Sequence, residues 1–215
     1  MIRGRVRPSL GDVPSSPRSE SPSSVAVFCA SSPGHDPAFA RTARALGAEL
    51  AGRGVGLVYG GGRVGLMGAV ADGCLEAGGE VVGVIPRVLA DLEVAHTGVS
   101  RLEVTGSMHE RKARMAELAD GFIALPGGFG TFEEVIEILT WNQLGIVRSP
   151  VVFLDVGGFW GPLMAFFDHA VDAGLLRARH RSMVTLTDDV AAAVTTALRE
   201  PADVAPKWAE FPPRP

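Results

Sequence analysis

From Val25 onward, short apolar runs alternate with longer stretches in which apolar side chains recur at helical spacing. Val25-Ala26-Val27-Phe28-Cys29-Ala30 reads as a buried strand, and the amphipathic stretch near Pro37–Arg53 as the helix that follows it. Further strands are predicted at Val55–Tyr59, Val81–Ile85, Leu102–Thr105, Phe122–Leu125, Val151–Leu154 and Val184–Leu186. Helices are predicted near Leu66–Ala77, Met108–Ala119, Phe132–Leu144, Gly161–Leu175 and Asp188–Arg199. The strands are continuously apolar rather than alternating, as happens when helices cover both faces of a parallel sheet. The pattern predicts an α/β fold: a doubly wound parallel sheet of about seven strands. In such a sheet a ligand sits beyond the carboxyl ends of the strands. Three loops at those ends are rich in glycine or serine, so the chemistry is expected there.

The periodicity stops at both ends of the chain. Residues 1–24 are rich in proline and serine, with Arg3, Arg5 and Arg7 at the start and no long apolar stretch of the secretory kind. They are expected to be a disordered extension. Residues 25–200 are expected to form a single domain and residues 201–215 a proline-rich irregular tail. With 47% apolar residues in 215, one large core is available. A formal net charge of −4 gives no reason to expect a nucleic-acid partner, although it leaves room for a local phosphate pocket. No apolar run approaches the ~18 residues of a membrane span. The two cysteines, Cys29 and Cys74, make neither a disulfide framework nor a metal site. The expectation is a soluble, cytoplasmic enzyme or binding protein. Glycine, at 27 residues, is in excess, and that directs attention to sites shaped by backbone.

The first of the three loops, Ala30-Ser31-Ser32-Pro33-Gly34, offers hydroxyls either to a phosphate or ribose or to the cap of the next helix; the pattern decides neither. The second runs from Tyr59 to Gly68 and contains G-x-G-x-x-G at Gly60, Gly62 and Gly65. It follows the second strand rather than the first, and the next strand ends at Ile85-Pro86-Arg87 without an acidic residue for a ribose. A mononucleotide or a close backbone approach fits better than a dinucleotide, with tight helix packing as the plain alternative. The third, Leu125-Pro126-Gly127-Gly128-Phe129-Gly130-Thr131-Phe132-Glu133-Glu134, joins a buried strand to a helix start that suits an anion. Without a lysine after the glycines it is not a triphosphate-binding loop. Thr131 and Glu134 also have the spacing of a capping box. Ser107 and Glu110 form a second such box, which places Arg111 and Lys112 in the first turns of a helix, where cations oppose the helix dipole. That points either to function or to a pair of solvated charges. His109 has no assignable carboxylate partner and is read as a structural or surface histidine rather than as a general base.

At these residues the chain resembles the "Lonely guy" family of cytokinin riboside 5′-monophosphate phosphoribohydrolases, often mislabelled lysine decarboxylases. P-G-G-x-G-T-x-x-E stands intact at Pro126–Glu134 and M-H-x-R-K at Met108–Lys112. The resemblance covers about Val25 to Arg199, including Cys29–Gly34 and Gly60–Gly68. It implies a Rossmann-like fold, a homodimer, and hydrolysis of the N-glycosidic bond of an N6-modified AMP to free base and ribose 5-phosphate, with no metal or other cofactor. Carried over position by position, it makes Arg111 and Glu134 the catalytic pair. Glu93, Lys112, Gly128, Phe129, Gly130, Thr131 and Glu133 become substrate-binding residues. Trp141, Leu144 and Ile146 offer apolar surface for a dimer. A pyridoxal-dependent decarboxylase is expected to fail, because Lys112 and Lys207 are the only lysines and neither is placed for a Schiff base. The alternative is a carrier of a phosphorylated ligand such as molybdenum cofactor, as in relatives of the fold that bind without hydrolysing.

Overall fold

The structure is a computed structural model describing residues 23–92, 94–201 and 203–210. Strands and helices alternate as β1 (Ser24–Phe28), α1 (Pro37–Gly52), β2 (Gly56–Tyr59), α2 (Gly65–Glu76), β3 (Val81–Pro86), α3 (Arg87–Ala90), β4 (Arg101–Thr105) and α4 (Met108–Leu118). The second half continues with β5 (Gly121–Ala124), α5 (Phe129–Leu144), β6 (Val151–Leu154), α6 (Gly161–Asp172), α7 (Ala178–Arg181), β7 (Val184–Thr187) and α8 (Val190–Ala197). Among the described residues, seven strands join one sheet in the order β4-β3-β2-β1-β5-β6-β7, with every pairing between them parallel. The doubly wound sheet expected from the apolar pattern is therefore present.

Strand residues alternate between two buried layers. Val25, Val27, Leu57, Tyr59 and Ile123 face a cluster with Leu46 and Leu50 of α1, Val70 of α2 and Val194 of α8. Ala26, Phe28, Val58, Val84 and Phe122 face Met115 of α4, Val135 and Ile138 of α5, and Trp160. The central strands thus have apolar side chains to bury on either face, which is why their runs show no polar alternation. The edge strands β4 and β7 instead alternate apolar with polar residues and have no buried residue. Helix starts follow local chemistry: Asp36 Oδ1 accepts from the Ala38 amide at 2.8 Å ahead of Pro37, and Asp189 Oδ1 from the Ala192 amide at 2.7 Å. α5 stops at Gly145, whose φ of +70° lets its amide reach back to Asn142 and Trp141.

The chain winds outward from β1 through β2, β3 and β4, then returns to the other side of β1 with β5. The two half-sheets diverge between β1 and β5, and the loops beyond those strands part to leave a crevice. Bonds beyond the strands hold its walls: the Ala30 amide donates to Pro126 O at 3.2 Å, and the Leu66 amide to Ala30 O at 3.0 Å.

At the ends, Ser24 already belongs to β1, so the expected extension gives way to the sheet one residue early. The rest of that extension, residues 1–22, lies outside the described residues, as do Glu93, Ala202 and residues 211–215. The tail is not wholly irregular, because a single 3₁₀ turn at Lys207–Glu210 lies against α5. Among the described residues, no helix is long and apolar enough to cross a membrane.

Candidate active site

The cleft at the switch point has a volume of about 560 Å³. Its floor and walls come from Cys29–Ser32 after β1, Gly60 and Gly62 after β2, Val64 and Met67 around the start of α2, and Ile85 of β3. Leu89 and Val94 close one side; Met108 and Arg111 of α4 and Gly128–Thr131 with Glu134 of α5 form the other. All three glycine- or serine-rich loops therefore meet in one place.

Arg111 is the main departure from the solvated-charge reading. Ser107 caps α4, its Oγ accepting from the Glu110 amide at 3.1 Å, while Glu110 Oε2 accepts from the Gly106 amide at 2.8 Å. The box is thus displaced by one residue on its second arm. It sets the helix so that Arg111 points inward and is only 7% exposed. The Arg111 Nε donates to Val84 O at 3.1 Å and its Nη2 pairs with Glu134 Oε1 at 2.9 Å. A Cβ at Gly60 would run into the same guanidinium, so the first glycine of G-x-G-x-x-G makes room for an arginine. Gly65, with φ +63°, is needed for packing: a Cβ there would enter the Ser31 backbone.

Glu134 does not close a capping box. α5 begins three residues before the sequence pattern suggests, with Gly128 as N-cap and no side-chain cap. Thr131 is then the third helical residue, and Glu134 lies one turn in, 6% exposed and turned to Arg111. Burial pushes the Glu134 carboxyl above the ordinary carboxylate range, Arg111 pulls it back, and the balance stays raised. Burial, and next the Glu134 charge, push the nearby Cys29 thiol up, so it remains neutral and is not a nucleophile.

The uncapped start of α5 leaves its first amides without acceptors from the helix. At Gly128 and Gly130 neither φ is left-handed, and a Cβ would meet nothing within 4 Å. The protein's own packing does not ask for glycine at these two positions, whereas a ligand approaching the backbone does. Phe129 between them is 92% exposed at the mouth of the cleft. Ser31 and Ser32 do not cap α1, a role taken by Asp36; the Ser32 Oγ accepts from the Gly34 amide at 3.3 Å.

Two of the sequence candidates, Lys112 and Glu133, are not among the residues that line the cleft. Lys112 turns away from the cleft to pair with Glu133 at 2.5 Å and Glu137 at 3.0 Å. Glu93 falls outside the described residues. His109 is exposed, as expected of a surface histidine. Sequence reasoning did not single out the apolar wall of Met67, Ile85, Leu89 and Val94. Met67 lay within the second glycine-rich loop and Ile85 at the end of a predicted strand, while Leu89 and Val94 carried no signal of their position.

Residues 67–197 match the model of a family described as "Possible lysine decarboxylase". The chain is 47% identical over 160 residues to a probable cytokinin riboside 5′-monophosphate phosphoribohydrolase of Oryza sativa subsp. japonica, covering 74% of this chain and 72% of that one. It is 43% identical over 197 residues to the cytokinin riboside 5′-monophosphate phosphoribohydrolase of Rhodococcoides fascians, covering 91% and 99%. Among solved structures, the molybdenum cofactor carrier protein of Chlamydomonas reinhardtii superposes with a TM-score of 0.61 at 27% identity, covering 81% of this chain and 95% of that one.

Proposed function

The chain belongs to the family of cytokinin riboside 5′-monophosphate phosphoribohydrolases, and on that premise we propose that its cleft hydrolyses the N-glycosidic bond of AMP carrying an N6 substituent. The observation that carries this reading is the buried Arg111–Glu134 pair facing the same cleft as the uncapped start of α5. The products are free base and ribose 5-phosphate.

In the proposed mechanism the 5′-phosphate docks on the amides of Phe129, Gly130 and Thr131, where free N–H groups and the helix dipole both favour an anion. Gly128 and Gly130 let it approach closely. As the bond between C1′ and the base nitrogen breaks, its electron pair leaves with the base and positive charge spreads over C1′ and the ring oxygen. The Glu134 carboxylate faces that charge, and a low-dielectric site makes the interaction stronger than it is in water. Water adds its oxygen to C1′ and loses a proton, and the departing base gains one. Arg111 holds Glu134 in place and contributes its charge to the site.

The lysine-decarboxylase description does not suit these residues. Of the two lysines, Lys112 is tied to Glu133 and Glu137 away from the cleft, and Lys207 stands in the tail's 3₁₀ turn. Neither is available to hold pyridoxal phosphate as a Schiff base. The carrier reading has one observation behind it, the fold shared at 27% identity with a molybdenum cofactor carrier. The catalytic pair and the higher identity to hydrolases favour hydrolysis.

A homodimer is part of the proposal. Ile136 lies along a groove between α5, α6 and α7, and Ile146, Phe166 and Leu175 are also exposed. Trp141 instead packs on the core. The free, buried Cys29 and Cys74 support a cytoplasmic, reducing setting.

The test is to incubate the protein with AMP, N6-isopentenyl-AMP and their nucleosides, and to assay free base and ribose 5-phosphate. We expect base release from the monophosphates and a kcat/KM at least about tenfold lower for the nucleosides, which lack the anchoring phosphate. Tight nucleotide binding without base release would instead support the carrier.

A further inference from the structure

We propose that Lys112 is a positioning residue for this hydrolysis: clamped between Glu133 and Glu137, it neutralises the two carboxylates that share the first turns of α5 with Glu134, and so keeps Glu134 charged and turned to Arg111. The inference rests on the reading of Glu134 given above. Adjacent residues on a helix point about 100° apart, so consecutive cations on α4 serve different faces. Arg111 reaches the cleft; Lys112 reaches sideways to α5, with Nζ 2.5 Å from Glu133 Oε1 and 3.0 Å from Glu137 Oε2. Its side chain is only 5% exposed, so water does little to screen it and its two partners hold it in place.

The charges around Glu134 come from two helices and one strand end. α4 supplies Arg111 and Lys112, α5 supplies Glu133 and Glu137, and the end of β1 supplies the neutral Cys29 thiol. Without Lys112, the charges of Glu133 and Glu137 would act on Glu134 with only Arg111 to offset them. The least solvated of them, Glu134, would then be the one to take up a proton. In keeping with this, Glu133 and Glu137 each push the Glu134 carboxyl up and Lys112 pushes it down. The ammonium of Lys112 itself is opposed by burial, yet its two carboxylate partners outweigh this and hold it above its ordinary value.

The experiment follows the Glu134 carboxyl by carbon NMR titration in the ligand-free protein, alongside the pH profile of base release from AMP. In Lys112→Met we expect the titration midpoint to rise by about one pH unit. The acid limb of kcat should move with it while KM stays within about threefold. Lys112→Arg should restore the wild-type midpoint, because it keeps the charge. Adding Glu133→Gln and Glu137→Gln to Lys112→Met should bring the midpoint back down. Should Lys112→Met not fold, Glu137→Gln alone retains Lys112 with Glu133 and should lower the midpoint. An unmoved midpoint in folded Lys112→Met or Glu137→Gln overturns the proposal, as does a loss of activity that follows melting temperature alone. The titration needs no turnover, so a wild type that releases no base would sink the hydrolase reading while leaving the charge claim decided separately.

Discussion

Glu134 carries the clearest separation of chemistry from stability. Glu134→Gln keeps an oxygen that can accept from Arg111 and removes the cost of burying a charge. The opposing loss of charge attraction is of similar size, so we expect stability to change by about 1 kcal/mol or less. Base release should fall about a hundredfold or more, because the group facing the developing cation has lost its charge. Melting temperature and base release measured on the same preparation check both. The raised carboxyl adds a dependence on pH. The folded protein holds the Glu134 proton more tightly than the unfolded chain, so ionising it costs stability as pH rises from the unfolded value through the folded one. Glutamine cannot ionise; the melting temperature of the variant relative to wild type should therefore climb as pH rises above about 4. A flat difference would mean that the carboxyl is not raised. In the wild type the same shift puts the acid limb of activity above the ordinary carboxylate range.

Among the elements, glycines of similar appearance have opposite roles. α1 and α2 cross so closely that a Cβ at Gly47 would meet Val70 O and one at Gly73 would meet Arg44 O. Backbone cannot step aside as a side-chain end can, and Gly73→Ala should cost about 2 kcal/mol or more in denaturant unfolding. Gly52→Ala, near the end of α1 with nothing within 4 Å, should be neutral or stabilise by up to about 1 kcal/mol. Gly130 is the informative third case. A methyl at this second residue of α5 meets no atom of the protein, so Gly130→Ala should also stabilise slightly, by up to about 1 kcal/mol. Yet it should raise KM for AMP about tenfold, because the methyl occupies the approach to the free amides. Unchanged KM would remove the phosphate from that helix start.

For the whole molecule, the prediction concerns assembly. Exposed apolar side chains at Ile136, Ile146, Phe166 and Leu175 are more than a polar helix surface needs. Light scattering at micromolar concentration should give about twice the 22.5 kDa of one chain. Ile136→Asp, on the α5 wall of the groove, should shift the protein toward monomer. A wild-type monomer under these conditions would set the dimer aside.

The order of strands and helices was legible from the sequence because burial on both faces of a parallel sheet leaves a signal in each strand separately. β6 spans the predicted Val151–Leu154, and most other elements shift by one to three residues at an end. The short α3 and α7 went unread, since four residues are too few to show a period. Pro126–Glu134 and Met108–Lys112 were likewise visible as motifs, because backbone approach and helix starts need particular residue types at fixed local spacing. What a motif cannot contain is the partner of each side chain. Thr131 and Glu134 had the spacing of a cap, yet α5 starts at Phe129 with Gly128 as an N-cap that offers no side chain, and Glu134, one turn in, turns to Arg111. Arg111 and Lys112 were indistinguishable as neighbours in the chain; the helix period, and the approach of α4 to α5, sent one into the cleft and the other between two carboxylates. Sequence determines which elements form, because that follows from local pattern and burial. Which charges meet was decided only by the packing of elements distant along the chain, since charge pairing depends on separation in space.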